Sequence, residues 1–215
     1  MSGLFNWGRK ESAVAAAGTS ARVDDDPAIT SKVLPKFLSG LTAVDTPVLL
    51  NLGPVIGQNI SFLGDRLSCK IFVEDLFQEL ETHTSRGTVK DMPTSVPARL
   101  EKHEPGTIDG ILCWDIFDYF DKATSQAVAT RLVSLLRPGG VLYGFFCTQA
   151  ADVSHFSRFV IDAADRLRLK SVPAVPGIRR NVMVVRDINK MFTGLDVGES
   201  ILLKSNTRET LFKKP

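Results

Sequence analysis

At 215 residues the chain is long enough for one domain with a sizeable hydrophobic core and a tail. Apolar residues at 44% and charged residues at 23% are ordinary for a globular protein, and a net charge of +2 calls for no polyanionic partner. No apolar run approaches the ~18 residues of a membrane span, and three cysteines (Cys69, Cys113, Cys147) without C-x-x-C spacing read as buried thiols, not as a disulfide framework or a zinc site.

Residues 1–26 are rich in alanine, serine and charge without periodicity, so a disordered leader is expected there, with Phe5 and Trp7 as a docking patch in the alternative. This stretch does not read as a secretion signal, which together with the thiols predicts a cytoplasmic protein. Residues 27–215 are expected to form one domain. From Pro27 the spacing of Ile29, Val33, Leu34, Phe37, Leu38 and Leu41 predicts an amphipathic helix, kinked or broken at Pro35.

The stretch from Val48 to Asp75 reads as strand, glycine loop, helix, strand and acid. Val48-Leu49-Leu50 feeds into Asn51-Leu52-Gly53-Pro54-Val55-Ile56-Gly57, Ile60, Leu63 and Leu67 have helical spacing, and Ile71-Phe72-Val73 ends on Glu74-Asp75. A strand that stops at a glycine lets backbone N–H groups face a ligand, and an acid about 20 residues later can take both ribose hydroxyls. The two glycines do not make G-x-G-x-x-G, so a plain β-α turn is the competing reading. Asp75 competes with Glu74, because a one-residue shift of the strand end exchanges them.

Leu76 to Leu80 predicts another helix. Residues 81–106 carry Pro93, Pro97 and Pro105 and no strong strand, although this kind of fold needs a third strand or a substitute there. Ile108 to Asp115 is an apolar strand entering a turn with Asp115, Phe117, Asp118, Tyr119 and Phe120. A helix is expected from about Thr124 to the stop at Arg137-Pro138-Gly139-Gly140, followed by the apolar strand Val141–Cys147. Two β-α-β units with unbroken apolar strands imply a parallel sheet covered on both faces, with ligands beyond the strands' carboxyl ends. Between Ser157 and Lys190 the chain is basic, with a hairpin expected over Phe159–Ile161 and Leu167–Val172 and a helix over Val182–Phe192. Gly198–Lys204 and Glu209–Lys214 read as a hairpin around Ser205-Asn206-Thr207.

As an ordered set, VLLNLGPVIG, IFVED, IDGILCWDIFDYF and LLRPGGVLYGFF resemble the class I S-adenosylmethionine-dependent methyltransferases. The resemblance implies an α/β Rossmann-like fold, a seven-stranded mostly parallel sheet with helices on both faces and a C-terminal antiparallel hairpin. It also implies S-adenosyl-L-methionine as cofactor and a small-molecule methyl acceptor, with residues 151–192 as the acceptor lid. By position, Asn51, Gly53, Pro54 and Gly57 would face the methionine part of the cofactor, Glu74 or Asp75 the ribose, and Trp114 and Asp115 the sulfonium. The family usually has an acid where this chain has Asn51 and a glycine where it has Val55.

Asp115, Asp118 and Tyr119 are the clustered candidates for proton transfer, with Asp115 and Tyr119 preferred and Asp118 read as the cap of the following helix. A sulfonium methyl donor is already activated, so a base is needed only for a protonated acceptor. His83, His103 and His155 are isolated and read as surface or packing residues, and no metal ligand set is expected. The basic stretch 157–190 is either a solvated face or a site for an anionic acceptor, and no aromatic interleaving marks a nucleic-acid surface. A methyltransferase is the leading function, a non-catalytic binding protein on the same fold the second. A nicotinamide-nucleotide oxidoreductase is the third, disfavoured by the glycine pattern and the terminal hairpin.

Overall fold

The computed structural model describes residues 26–215. The leader and the Phe5/Trp7 patch lie outside the described residues. A short strand β1 (Ala28–Thr30) and helix α1 (Leu34–Leu41) precede the first β-α-β unit, β2 (Val48–Asn51), α2 (Gly57–Leu67) and β3 (Lys70–Val73). Helices α3 (Leu76–Arg86) and α4 (Met92–Ala98) lead to the second unit, β4 (Ile108–Trp114), α5 (Lys122–Leu135) and β5 (Leu136–Cys147). Then come β6 (Ala151–Asp152), the hairpin β7 (His155–Ala163) and β8 (Arg166–Pro173), β9 (Arg179–Arg180), helix α6 (Val185–Met191), and the tail hairpin β10 (Asp196–Leu202) and β11 (Thr207–Lys213). Among the described residues no helix is long and apolar enough to cross a membrane.

The main sheet has six strands in the order β10-β11-β5-β4-β2-β3, not the seven expected. β3, β2, β4 and β5 are parallel, and β11 lies antiparallel between β5 and β10, with Asn206 at φ 56 in the turn that joins the tail strands. The expected third strand is replaced by helix. Met92, Val96 and Leu100 are buried at helical spacing and set α4 against α5, while Pro93 in the first turn and Pro97 within α4 have no N–H for a ladder. β3 therefore forms the sheet's edge, where exposed Lys70 disfavours further strand pairing.

Pro35 also differs from expectation. It occupies the first turn of α1 and not its middle, a position where the missing N–H costs nothing, and Ser31 Oγ accepts from the Leu34 N–H at 2.8 Å. Ile29 belongs to β1, which pairs with β8 in a separate three-stranded antiparallel sheet.

The strands alternate sides as a period of two requires. Leu50, Ile111, Cys113, Leu142, Phe146 and Phe212 face α3, α4, α5 and α6, whereas Leu49, Leu112, Trp114, Tyr143, Phe145 and Leu211 face α1, α2 and the β7–β8 hairpin. The α/β layering thus follows from unbroken apolar strands, each feeding both cores. Replacing a fully buried ring such as Phe117 or Phe146 by alanine costs about 3–5 kcal/mol.

Candidate functional site

A cavity of about 260 Å³ opens beyond the carboxyl ends of β2, β3 and β4. Pro54 and Ile56 of the glycine loop, Asp75, Phe77, Gln78 and Glu81 of α3 and its cap, Trp114, and Phe156, Ser157, Arg158 and Phe159 of β7 line it. Of the residues singled out in the sequence, Pro54, Asp75 and Trp114 are brought together there. Asn51, Gly53, Gly57, Glu74 and Asp115 are not in its lining.

The reason begins with Trp114. It ends β4 at φ 52, a left-handed conformation that costs a bulky L-residue roughly 1–2 kcal/mol, and the β4–β5 register shifts at the same point. The turn lays the indole over the glycine loop: a Cβ on Gly53 would meet Trp114 Cδ1 at 2.8 Å. The bareness of Gly53 is thus used by the indole, whereas a Cβ on Gly57 would meet nothing within 4 Å.

Asn51 holds this arrangement with both ends of its amide. Its Oδ1 accepts from Trp114 Nε1 at 2.7 Å, and its Nδ2 donates to the carbonyls of Gly53 at 2.8 Å and Pro54 at 3.3 Å. An aspartate could accept from the indole but could not donate to two carbonyls. The other face of the indole stacks on Phe159 with centroids 5.3 Å apart, and Phe159 stacks in turn on Phe145 at 4.6 Å. Phe159 is fixed by Asn59 of α2, which pairs with the strand's backbone as a neighbouring strand would: Nδ2 donates to Phe159 O at 2.8 Å and Oδ1 accepts from Ile161 N at 2.7 Å. Val55, the other departure from the family pattern, points outward and is 67% exposed, so it does not narrow the crevice.

The two acids after β3 part company. Glu74 is buried, and its Oε1 lies 2.9 Å from His103 Nε2 and 2.8 Å from Lys102 Nζ. His103, read from sequence as an isolated histidine, is itself buried and packs edge-on against Phe72 at 4.9 Å. Glu74 therefore fastens the loop after α4 to the tip of the edge strand. Asp75 lines the cavity while accepting from the Gln78 N–H at 3.2 Å as the cap of α3. Burial lifts its carboxyl pKa, against the lowering effect of that hydrogen bond and of the Arg158 charge.

Behind the cavity wall, Asp115, Asp118 and Tyr119 form one buried cluster with Arg180. The Tyr119 hydroxyl donates to Asp115 Oδ2 at 2.9 Å and accepts from Arg180 Nη2 at 3.0 Å. Burial pushes Asp115 up to about 6, opposed by Arg180, and burial together with the Asp115 charge pushes Asp118 up to about 8. Burial and the same carboxylate also push the Tyr119 phenol well up. Asp118 does not cap the next helix. Its carboxylate accepts from Cys147 N at 2.9 and 3.1 Å, and the cap is Asp121, whose Oδ1 accepts from Thr124 N at 2.7 Å. The Asp118 side chain thus ties the turn after β4 to the end of β5.

Sequence reasoning missed Phe77, Gln78 and Phe156, whereas Arg158 belongs to the basic stretch offered for an anionic acceptor. The β7–β8 hairpin was visible as an alternating pattern, but nothing in its spacing says that it folds back over the end of β4.

No protein-family profile matches the chain. Over 39 residues it is 46% identical to a chemotaxis protein methyltransferase of Klebsiella aerogenes, covering 18% of this chain and 13% of that protein. Over 54 residues it is 39% identical to a chemotaxis protein methyltransferase of Escherichia coli, covering 25% and 18%. The chain thus spans less than a fifth of the length of these curated relatives. Among solved structures it is similar to a putative S-adenosylmethionine-dependent methyltransferase from Listeria monocytogenes, with TM-score 0.51, 10% identity, and 84% of this chain and 95% of that one covered. It is also similar to the PH0226 protein from Pyrococcus horikoshii, with TM-score 0.50, 15% identity, and 85% and 88% covered. With the glycine loop after β2, the acids after β3 and the antiparallel strand between β5 and β10, the likeness is one of architecture: the chain has the fold of the class I S-adenosylmethionine-dependent methyltransferases.

Proposed function

We propose that the chain is a methyltransferase that binds S-adenosyl-L-methionine in the crevice beyond β2, β3 and β4 and methylates a small-molecule acceptor. The observation that carries this reading is the cavity itself, which joins the glycine loop, an acid following β3 and an aromatic wall at the place where α/β sheets bind ligands. The residues present fit the adenosyl end of the cofactor: Asp75 offers a carboxylate to the ribose hydroxyls, and Phe77 and Phe156 offer apolar surface to a base. When bound, the cofactor supplies a methyl group already activated on a sulfonium, so the protein's own part is placement.

Asp115 and Tyr119 do not line the cavity, so placement of the acceptor carries the transfer, and Asp115, which burial raises to about 6, backs the wall behind it. Its Oδ1 has no hydrogen-bond partner among the described residues, and Tyr119 with Arg180 holds its other oxygen. Arg158, exposed at the cavity rim, is the residue of the basic stretch that supports an anionic group on the acceptor. Titration calorimetry with S-adenosylmethionine, S-adenosylhomocysteine and NAD tests the proposal. Binding of the first two and not the third is the expected result, and binding of NAD alone would refute it.

One observation favours a second reading, a non-catalytic adenosyl-binding protein on the same fold. The cavity lies just below the range of about 300–1,000 Å³ that encloses a drug-sized ligand, because Trp114 takes the space over Gly53. Methyl transfer assayed against a panel of small anionic acceptors separates the two. Tight binding without turnover selects the second.

A further inference from the structure

We infer that Trp114 is the specificity-determining residue of the crevice. Latched by Asn51, it admits an adenine nucleoside and excludes an amino-acid tail from the face of Gly53. The inference rests on the adenosyl reading above and adds to it which part of such a ligand the site takes. An atom placed on the Cβ side of Gly53 would lie within 2.8 Å of the indole. No tail can use that face while the ring is there. The ring is held on two sides, by the 2.7 Å hydrogen bond to Asn51 and by the stack on Phe159, and it is only 4% exposed.

The amide at position 51 closes the latch from the loop's side as well, since its Nδ2 donates to the Gly53 carbonyl. Gly53, Asn51 and Trp114 therefore form one unit whose packing fills the Cβ side of Gly53 and leaves open the part of the cavity along Pro54, Ile56 and Asp75. A ligand carrying both a nucleoside and an amino-acid tail binds only with the indole swung away, at the cost of its hydrogen bond and its stack. A nucleoside alone pays neither of these terms.

Calorimetry on the full chain with two probes, adenosine and S-adenosylhomocysteine, reads this directly. Wild-type protein is expected to bind adenosine at least tenfold tighter than S-adenosylhomocysteine. Trp114→Ala should shrink that preference at least tenfold by gaining affinity for the longer ligand, and Trp114→Phe, which keeps a ring but loses the Nε1 donor, should fall between. If the alanine variant does not fold, the phenylalanine variant carries the test through the same ratio.

A second readout does not depend on affinity. The sequence has two tryptophans, so Trp7→Phe leaves Trp114 as the sole emitter. Its emission should be shielded from acrylamide in the free and adenosine-bound protein and open to it with S-adenosylhomocysteine. Equal affinity of wild type for both probes, or an unchanged ratio in the Trp114 variants, overturns this inference and leaves the adenosyl reading standing. Binding of neither probe to any variant overturns both.

Discussion

Asn51→Asp is the change that the family pattern recommends and that this structure disfavours. The aspartate keeps an acceptor for Trp114 Nε1 but loses the donors now shared between Gly53 O at 2.8 Å and Pro54 O at 3.3 Å. A neutral hydrogen bond contributes about 1 kcal/mol net, and an unmatched buried group costs about 1–3 kcal/mol. A carboxylate facing two carbonyl oxygens at a side chain 7% exposed should therefore destabilise the fold by about 2–3 kcal/mol. For a domain of this size that is a loss of about 4–12 °C in melting temperature.

The pH dependence follows from the sign of the shift. Burial and the facing carbonyls raise the new carboxyl's folded pKa above its unfolded value of about 4. The penalty is therefore absent below pH about 4, grows as pH rises, and is complete above the folded pKa. Thermal melts of wild type and variant at several pH values between 4 and 8 measure it. A variant that melts within 1 °C of wild type at pH 7 would show that the amide's donors do not hold the loop.

Other outcomes follow from the same geometry. Asp75→Asn keeps a cap for α3 but removes the charge facing the cavity, and should weaken adenosine binding by about 1.5–3 kcal/mol in calorimetry; unchanged affinity would move the ribose contact elsewhere. Glu74→Ala should leave that affinity within twofold but lower stability by about 1–3 kcal/mol in urea, because it leaves the buried His103 Nε2 without its partner; weakened binding without lost stability would return the ribose role to Glu74. Burial raises Asp118 to about 8 and Asp115 to about 6, so the fold favours both in their protonated form, and stability should fall from about pH 4 upward by up to about 1.4 kcal/mol per pH unit per group, Asp115's share ending near pH 6 and Asp118's near pH 8. Asp118→Asn should flatten the alkaline part of that slope, and an unaltered slope would count against the coupled cluster. A chain beginning at Asp26 should keep its melting temperature within about 2 °C, and a larger loss would show that Phe5 and Trp7 dock on the domain.

What could be read from sequence was what repeats with a period. The apolar strands at 48, 71, 108 and 141, the helices between them and the tail hairpin all came from runs and alternation, because each strand feeds two cores and each helix one. The errors lie where local chemistry has two uses. Pro35 breaks a helix in its middle but starts one in its first turn, and the burial that decides between these is tertiary. Asp118 and Asp121 are both plausible caps three residues apart, and only the position of the end of β5 gives Asp118 its other task. Residues 81–106 offer prolines and no strong strand where a third strand or a substitute was expected, and the buried helical face of Met92, Val96 and Leu100 that stands there is too short to stand out from one sequence.

The site departs from the family pattern through partners that come from unread parts of the chain. His103 belongs to the loop that follows α4, the helix standing where a third strand was expected, and its ring reaches the Glu74 carboxylate. An acid enclosed at 3% exposure, with its Oε1 held by a histidine and a lysine, does not line the cavity, so the acid left for a ligand is the next one, Asp75. The glycine loop follows the same logic. Trp114 needs a bare Gly53 to lie against and an amide at 51 to hold it, so the change from acid to Asn51 and the tryptophan at the end of β4 depend on one another. This coupling predicts non-additive behaviour. Trp114→Ala should open position 51 to water, which can hydrate a carboxylate facing the two carbonyls, so Asn51→Asp made in that background should cost at least about 1 kcal/mol less than in wild type. A double-mutant cycle by urea unfolding measures the difference, and strict additivity would show that the two positions changed independently.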